Sequence, residues 1–409
     1  MTALAPVAPR ERLASLDVLR GFALCGVLIG NMVLYSGRWA LHGEPHGGTL
    51  DEIAEWFVGI VVDSKAQTLL TFLFGFGFAI QLLRADARGE PVLPVYLRRL
   101  LALLVLGWLH VLVLWWGDVT WTYAVSGFGL LAFVHASNRT RVVLGLALTF
   151  VPFLVATIPE VQEASLRVFM EPREWGAHTQ HYLEVMRQPS RSGLAWESAT
   201  YALVWCSQIY VWYFLWTLGR FLLGYVAGAR RWFERDGAEH LGVFRRFALW
   251  GGLIAVVLIA VRVLARLGIL RFDTLGVAGR LLGGTLYQIT LLAQTIAYVG
   301  IVVLLMQRPL WRRVLGVLAP AGRMPLTTYF SQSLAATFVF YGWGLGWVGE
   351  VGPAGCLGLA LAIFSVQVAI AHVWLRFFRF GPLEWVWRAA VYWKLPAMRS
   401  RASIDVTNR

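Results

Sequence analysis

Apolar residues fall in long runs along this chain, separated by short polar segments rich in arginine. A helix rising 1.5 Å per residue needs about 20 apolar residues to cross a bilayer. Runs of that order predict spans at 16–36, 53–83, 100–116, 119–136, 142–158, 199–228, 247–268, 281–306, 325–346 and 353–375. The second run is too long for one straight crossing and is interrupted by Asp63-Ser64-Lys65. It reads either as a surface helix followed by a span or as one broken helix. The third and fourth runs are short and joined through Gly117-Asp118, which predicts a hairpin. The fold class is therefore all-α, a polytopic transmembrane helix bundle of about ten spans. Residues 1–15 form a cytoplasmic N-terminal segment, 16–378 a single membrane domain with an outer loop at about 159–198, and 379–409 an interfacial and cytoplasmic tail.

Composition strengthens this picture. Hydrophobic residues make up 58% of the chain, charged residues only 14%, and mean hydropathy is +0.62. A soluble domain carries roughly 25% charged residues. The 20 Trp suit a water–lipid interface, where one end of the ring is apolar and the other wet. No cleavable signal precedes the first run, so it is read as a retained helix.

The net charge of +13 raises nucleic-acid binding. That class is excluded because the cations sit between apolar runs and no groove-reading motif accompanies them. They follow topology instead. With the N-terminus inside, about 24 cations fall in cytoplasmic segments and about 8 outside, the bias expected of loops retained in the cytoplasm. Both termini are then cytoplasmic, and Arg271 and Arg280 are the exceptions on the outer side. Cys25, Cys206 and Cys356 lie in apolar runs without metal-ligand spacing and read as structural thiols.

Ionisable side chains at membrane depth are expensive, so each calls for a partner or a purpose. Asp17 and Arg20 are three residues apart on one helix face, and Arg20 and Asn31, eleven apart, share a stripe along it. The stripe fits either the wall of a polar cavity or a snorkelling Arg20 with an interhelical Asn31 hydrogen bond. Asp63 and Lys65 fit a cavity-lining helix break or an interfacial pair. His110 lies mid-span, with Asp118 and Tyr123 beyond it; it reads as a proton-transfer group or as a buried neutral imidazole. His42 and His46 occupy the short outer loop after the first helix, without the ligands a zinc site needs; no metal site is expected. Arg323 precedes a span containing Gln332, which needs a partner. Glu384 and Arg388 are four apart in the favourable order for a helical pair, beside Trp385 and Trp387, which suggest an interfacial helix.

Taken together, these segments resemble the YeiB family of bacterial membrane proteins, the family of domain of unknown function 418. The carriers are Leu16-Asp17-Val18-Leu19-Arg20-Gly21-Phe22-Ala23 with Asn31, Leu73-Phe74-Gly75-Phe76-Gly77, and His110 with Gly117-Asp118 and Tyr123-Ala124. Gly322-Arg323-Met324-Pro325-Leu326-Thr327 with Tyr329 and Gln332-Ser333, and Gly381-Pro382-Leu383-Glu384-Trp385 with Arg388, complete the set. The opening motif also looks like that of transmembrane acyltransferases such as heparan-α-glucosaminide N-acetyltransferase. That resemblance implies a multi-pass protein of the bacterial plasma (inner) membrane. It implies acyl-CoA as donor substrate, no tightly bound cofactor, and an outer-face glycan or lipid as acceptor. His42 or His46 would act as base or acyl carrier, with His110 and Asp118 as a second polar cluster. A small-solute transporter using Asp63 and Lys65 is the alternative.

Overall fold

The computed structural model describes residues 13–40, 48–89, 91, 93–161, 172–190, 193–205 and 211–399. Among these residues there is no strand, only an isolated bridge between Phe378 and Arg399. The first half comprises α1 (Ala14–Tyr35), α2 (Thr49–Phe57, prolonged by a π-helical turn Val58–Val62), α3 (Lys65–Arg88), α4 (Leu93–Val113), α5 (Thr120–Leu130) and α6 (Asn138–Ala156). Then come α7 (Pro172–Arg187), α8 (Leu194–Trp205), α9 (Val211–Ala229), α10 (241–266) and α11 (Gly276–Met306). The chain ends with α12 (Pro309–Gly316), α13 (Ala319–Arg323), α14 (Pro325–Phe340), α15 (Pro353–Phe377) and α16 (Pro382–Tyr392).

Among the described residues, seven helical stretches are long and apolar enough to cross a bilayer: α1, α2 with α3, α4, α6, α10, α11 and α15. The remaining three expected spans are shorter or divided. The run at 119–136 is the 11-residue α5 with a 3-10 turn at Leu131–Phe133. The run at 325–346 is helical for only 16 residues, because Gly342, Gly344 and Gly346 follow and Tyr341 turns extended. The run at 199–228 falls on α8 and α9, with 206–210 outside the described residues. The segment at about 159–198, expected as an outer loop, contains α7 and the start of α8.

The break at Asp63-Ser64-Lys65 has the form of one broken helix. Ser64 takes a left-handed φ of 62°, and the π turn before it frees carbonyls that a continuous helix would use. Lys65 Nζ donates to Gly59 O at 2.8 Å, Gln294 Nε2 to Ile60 O at 2.9 Å and Tyr298 Oη to Val61 O at 2.8 Å. Lys65 is buried, while Asp63 is exposed. The expected cavity at this break is not what the residues form: Lys65 caps a helix C-terminus, where a cation suits both the carbonyls and the dipole.

Side-chain bonds gather the segments into two ends. At one, Asp236 accepts from Ser15 N at 2.9 Å and Ser15 Oγ at 3.1 Å, and lies 3.5 Å from Arg312. At the other, Asp51 accepts from Ala354 N at 2.8 Å, and Gly349 N donates to Ser36 O at 2.8 Å. Between the ends, α3 and α9 cross with their backbones in contact. A Cβ on Gly75 would collide with the Phe221 carbonyl, and one on Gly224 with that of Phe72.

Candidate functional site

A cavity of about 440 Å³ opens beside α1 and is walled by α3, α4, α5, α14 and α16. Its α1 wall begins with the motif Asp17-x-x-Arg20-Gly21. Gly21 is required for a close approach: a Cβ there would meet the Leu318 carbonyl, and a Cβ on Gly322 would meet that of Asp17. The two glycines lay α13 against α1, so that Asp17, Arg20 and Arg323 face the same space. Asp17 and Arg20 pair at 2.9 Å, as their spacing predicts.

The cavity has two chemically different parts. Six arginines line it, Arg20, Arg84, Arg88, Arg99, Arg323 and Arg388, against the two carboxylates Asp17 and Glu384. Further in, the walls are Leu24, Leu70, Leu103, Val119, Thr120, Tyr123 and Tyr329, which carry no charge. Beyond that wall lies the His110–Asp118 pair. The short connection after α4 folds back so that Asp118 caps α5: its Oδ1 accepts from Thr120 N at 2.7 Å, Thr120 Oγ1 at 2.6 Å and Trp121 N at 3.1 Å. Its Oδ2 lies 3.1 Å from His110 Nδ1, and both side chains are fully buried. The Tyr329 ring stacks on His110 at 5.3 Å, and Phe330 meets it edge-on at 4.5 Å. Thr120 and Tyr329 thus touch the pair on one side and the cavity on the other. Behind the pair, Tyr35, Trp115, Trp116, Tyr182 and Tyr201 form an aromatic layer.

The structure therefore brings together Asp17, Arg20, Tyr123, Arg323, Glu384 and Arg388 on the cavity wall, with His110 and Asp118 just behind it. It does not bring Asn31 there; that residue is half-buried in α1, away from the cavity. Asp63 and Lys65 also lie elsewhere, at the α2–α3 break. Gln332 is buried and donates to Leu24 O at 3.1 Å, an interhelical bond behind the wall. His42 and His46 lie outside the described residues.

Glu384 does not form the expected pair with Arg388. Its carboxylate caps the start of α14, accepting from Leu326 N at 2.6 Å, Thr327 N at 3.1 Å and Thr327 Oγ1 at 2.5 Å. Two free N–H groups, the Thr327 hydroxyl and a positive helix end compete better for it than a neighbouring guanidinium with open space beside it. Arg388 instead lies over the Phe380 ring at 4.5 Å. Burial pushes the Glu384 carboxyl above the usual carboxylate range, partly offset by the Thr327 and backbone hydrogen bonds.

Two arginines that the sequence did not single out matter here. Arg99 reaches the cavity from α4. Arg220, in the middle of α9, is fully buried against the Trp216 ring, with Gln288 Oε1 at 3.4 Å. Arg220 stands alone in an apolar run, and that was the available signal; Arg99 follows Arg98 and had no such mark. No group of three or more His, Cys, Asp or Glu among the described residues has metal-site geometry.

Fold and site define a helical membrane protein with an arginine-lined internal cavity and a buried His–Asp pair at its far wall. A family model described as "Protein of unknown function (DUF418)" matches residues 227–394. The chain is 30% identical over 415 residues to "Uncharacterized protein YxaH" of Bacillus subtilis (strain 168), covering 96% of this chain and 97% of that protein. It is 26% identical over 398 residues to "Uncharacterized protein YeiB" of Escherichia coli (strain K12), covering 92% and 96% respectively. The chain belongs to this DUF418, or YeiB, family. No solved structure gives a significant match.

Proposed function

We propose that this chain is a multi-pass acyltransferase of the bacterial plasma membrane. It takes the acyl group from cytoplasmic acyl-CoA and delivers it to a hydroxyl or amine of an outer-face glycan or lipid. One observation carries the reading: a single cavity joins an arginine-rich mouth to an uncharged end lying against His110–Asp118. The positive-inside bias puts that mouth in the cytoplasm. Guanidiniums suit phosphates, and the uncharged part suits a pantetheine arm with its thioester. In this reaction the acceptor O–H or N–H loses its proton, its heteroatom bonds to the acyl carbon, and the C–S bond breaks to release CoA as the thiol. Asp118 Oδ2, 3.1 Å from His110 Nδ1, is placed to orient the imidazole as the substrate binds, with Nε2 then taking the acceptor proton and passing it to the departing sulfur. Rotation of Tyr329 off the imidazole opens the pair to the cavity. His42 and His46 are the alternative bases.

The test is CoA release from acetyl-CoA by the purified full chain in vesicles, with bacterial envelope glycans and lipids as acceptors. His110→Ala and Asp118→Asn are expected to lower turnover about 10²- to 10⁴-fold, the range of general acid–base catalysis, with an unchanged gel-filtration profile. Full turnover in both, with loss in His42→Ala or His46→Ala, would transfer the role to the outer loop. Solute uptake without CoA consumption would replace the enzyme reading with the transporter.

A further inference from the structure

Arg20, the arginine of the opening motif, is already bonded to Asp17 at 2.9 Å. Among the described residues, no carboxylate is bonded to Arg99. Its Nη1 donates to Gln81 Oε1 at 2.9 Å, and its Nε is buried without a hydrogen-bond partner. The guanidinium is held between two rings, Phe74 at 5.1 Å and Trp387 at 5.5 Å. Those rings come from α3 and α16, so three separate elements fix its position. Arg20 and Arg388 are close enough to repel it. Three like charges gathered in a partly desolvated cavity are unfavourable until an anion joins them. The lining carries an excess of four positive charges, six guanidiniums against two carboxylates. A single carboxylate ligand would leave most of that excess in place.

We infer that Arg99, clamped by Phe74 and Trp387, is the anchor for a diphosphate group of a ligand whose apolar or uncharged arm lies along the Leu24–Tyr329 part of the cavity. With the two rings to hold it, the guanidinium can offer its remaining N–H groups in bidentate bonding to phosphate oxygens, with Arg20 and Arg388 nearby. This inference rests on the reading of the cavity as the donor site, and it makes Arg99 a binding residue for the diphosphate rather than a participant in acyl transfer. Two sources carry this chemistry: a CoA thioester from the aqueous side, and an isoprenoid diphosphate from the membrane.

The experiment measures binding to the detergent-purified full chain by calorimetry at low salt, using CoA, pantetheine and farnesyl diphosphate as probes. Wild-type protein is expected to bind CoA, or farnesyl diphosphate if the source is a lipid, and to bind pantetheine at least 100-fold more weakly. Arg99→Gln is expected to lose at least tenfold in affinity for the diphosphate probe. Arg99→Lys should recover only part of this, since an ammonium keeps the charge without the fork. Raised salt should weaken the wild type more than Arg99→Gln. An unchanged affinity in Arg99→Gln, with a gel-filtration profile like the wild type, overturns the inference, as does equal binding of pantetheine and CoA. Diphosphate binding that depends on Arg99 without any acyl transfer leaves this inference standing and removes the proposed activity. Acyl transfer with the same KM for acyl-CoA in Arg99→Gln does the reverse.

Discussion

Lys65 and Arg99 are both cations drawn out of water into a helix bundle, and a reading from sequence alone treats them alike. Their surroundings differ in kind. Lys65 points at the carbonyl of Gly59, and the next two carbonyls of the same turn are taken by Gln294 and Tyr298. Three carbonyls before the break, Gly59, Ile60 and Val61, thus have donors, and the charge completes a helix end. Arg99 has Gln81 and two aromatic rings around it but, among the described residues, no bonded carboxylate, and it borders open space. A buried charge therefore does not mark a binding site by itself. The test is what the charge faces: Lys65 is spent on a helix end, whereas Arg99 borders a cavity.

The comparison breaks most visibly in stability. Lys65→Met removes a charge-assisted hydrogen bond and leaves the Gly59 carbonyl unsatisfied, a loss of about 2–3 kcal/mol. Thermal unfolding in detergent should show it, with diphosphate binding to the folded fraction unaffected. Arg99→Gln should leave the unfolding midpoint unchanged or raise it, because it relieves repulsion with Arg20 and Arg388. A Lys65 variant as stable as wild type, or one that loses ligand affinity while folded, would erase the distinction.

A smaller effect sharpens it. Gln294→Leu and Tyr298→Phe each strip one donor from the same turn and should each cost about 1 kcal/mol. Because the three donors serve adjacent carbonyls, combining either change with Lys65→Met should cost other than the sum of the parts. Strict additivity in a double-mutant cycle would mean that the break is not a cooperative unit.

What could be read from the sequence follows the same line. The all-α membrane bundle was legible because a bilayer imposes a length and an apolar composition, which seven helical stretches among the described residues show. The Asp17–Arg20 pair was legible because a three-residue spacing on one helix fixes its own geometry. Asn31 misled: it shares the angular stripe of Arg20, but the cavity turns away from α1 beyond Leu24 and continues between α5 and α14. Glu384 misled in the opposite sense, since its spacing to Arg388 is right but the start of α14, 57 and 58 residues away, binds it better. The role of Arg99 depends on Phe74 and Trp387, from two other elements, and no local pattern announces such a meeting. The length of α5 was hidden too, because Asp118 sets its start through a cap facing inward to His110.

Glu384 tests the comparison from the side of negative charge, because it both lines the cavity and is consumed by a helix end. Its carboxyl titrates above the usual carboxylate range because burial outweighs the hydrogen bonds it accepts. The docked state therefore binds the proton more tightly than the undocked chain does. By linkage, docking of α16 is favoured while Glu384 is protonated, and that contribution fades as pH rises through the raised value. Hydrogen exchange of the α16 amides in the full-length protein should thus quicken with rising pH over this window, beyond the intrinsic base dependence of exchange. Glu384→Gln keeps an acceptor for Leu326 and Thr327 but cannot ionise, so it should flatten the profile. If α16 instead became better protected as the carboxyl ionised, the helix-end hydrogen bonds would outweigh desolvation. Glu384 would then behave as Lys65 does, a charge spent on a helix end.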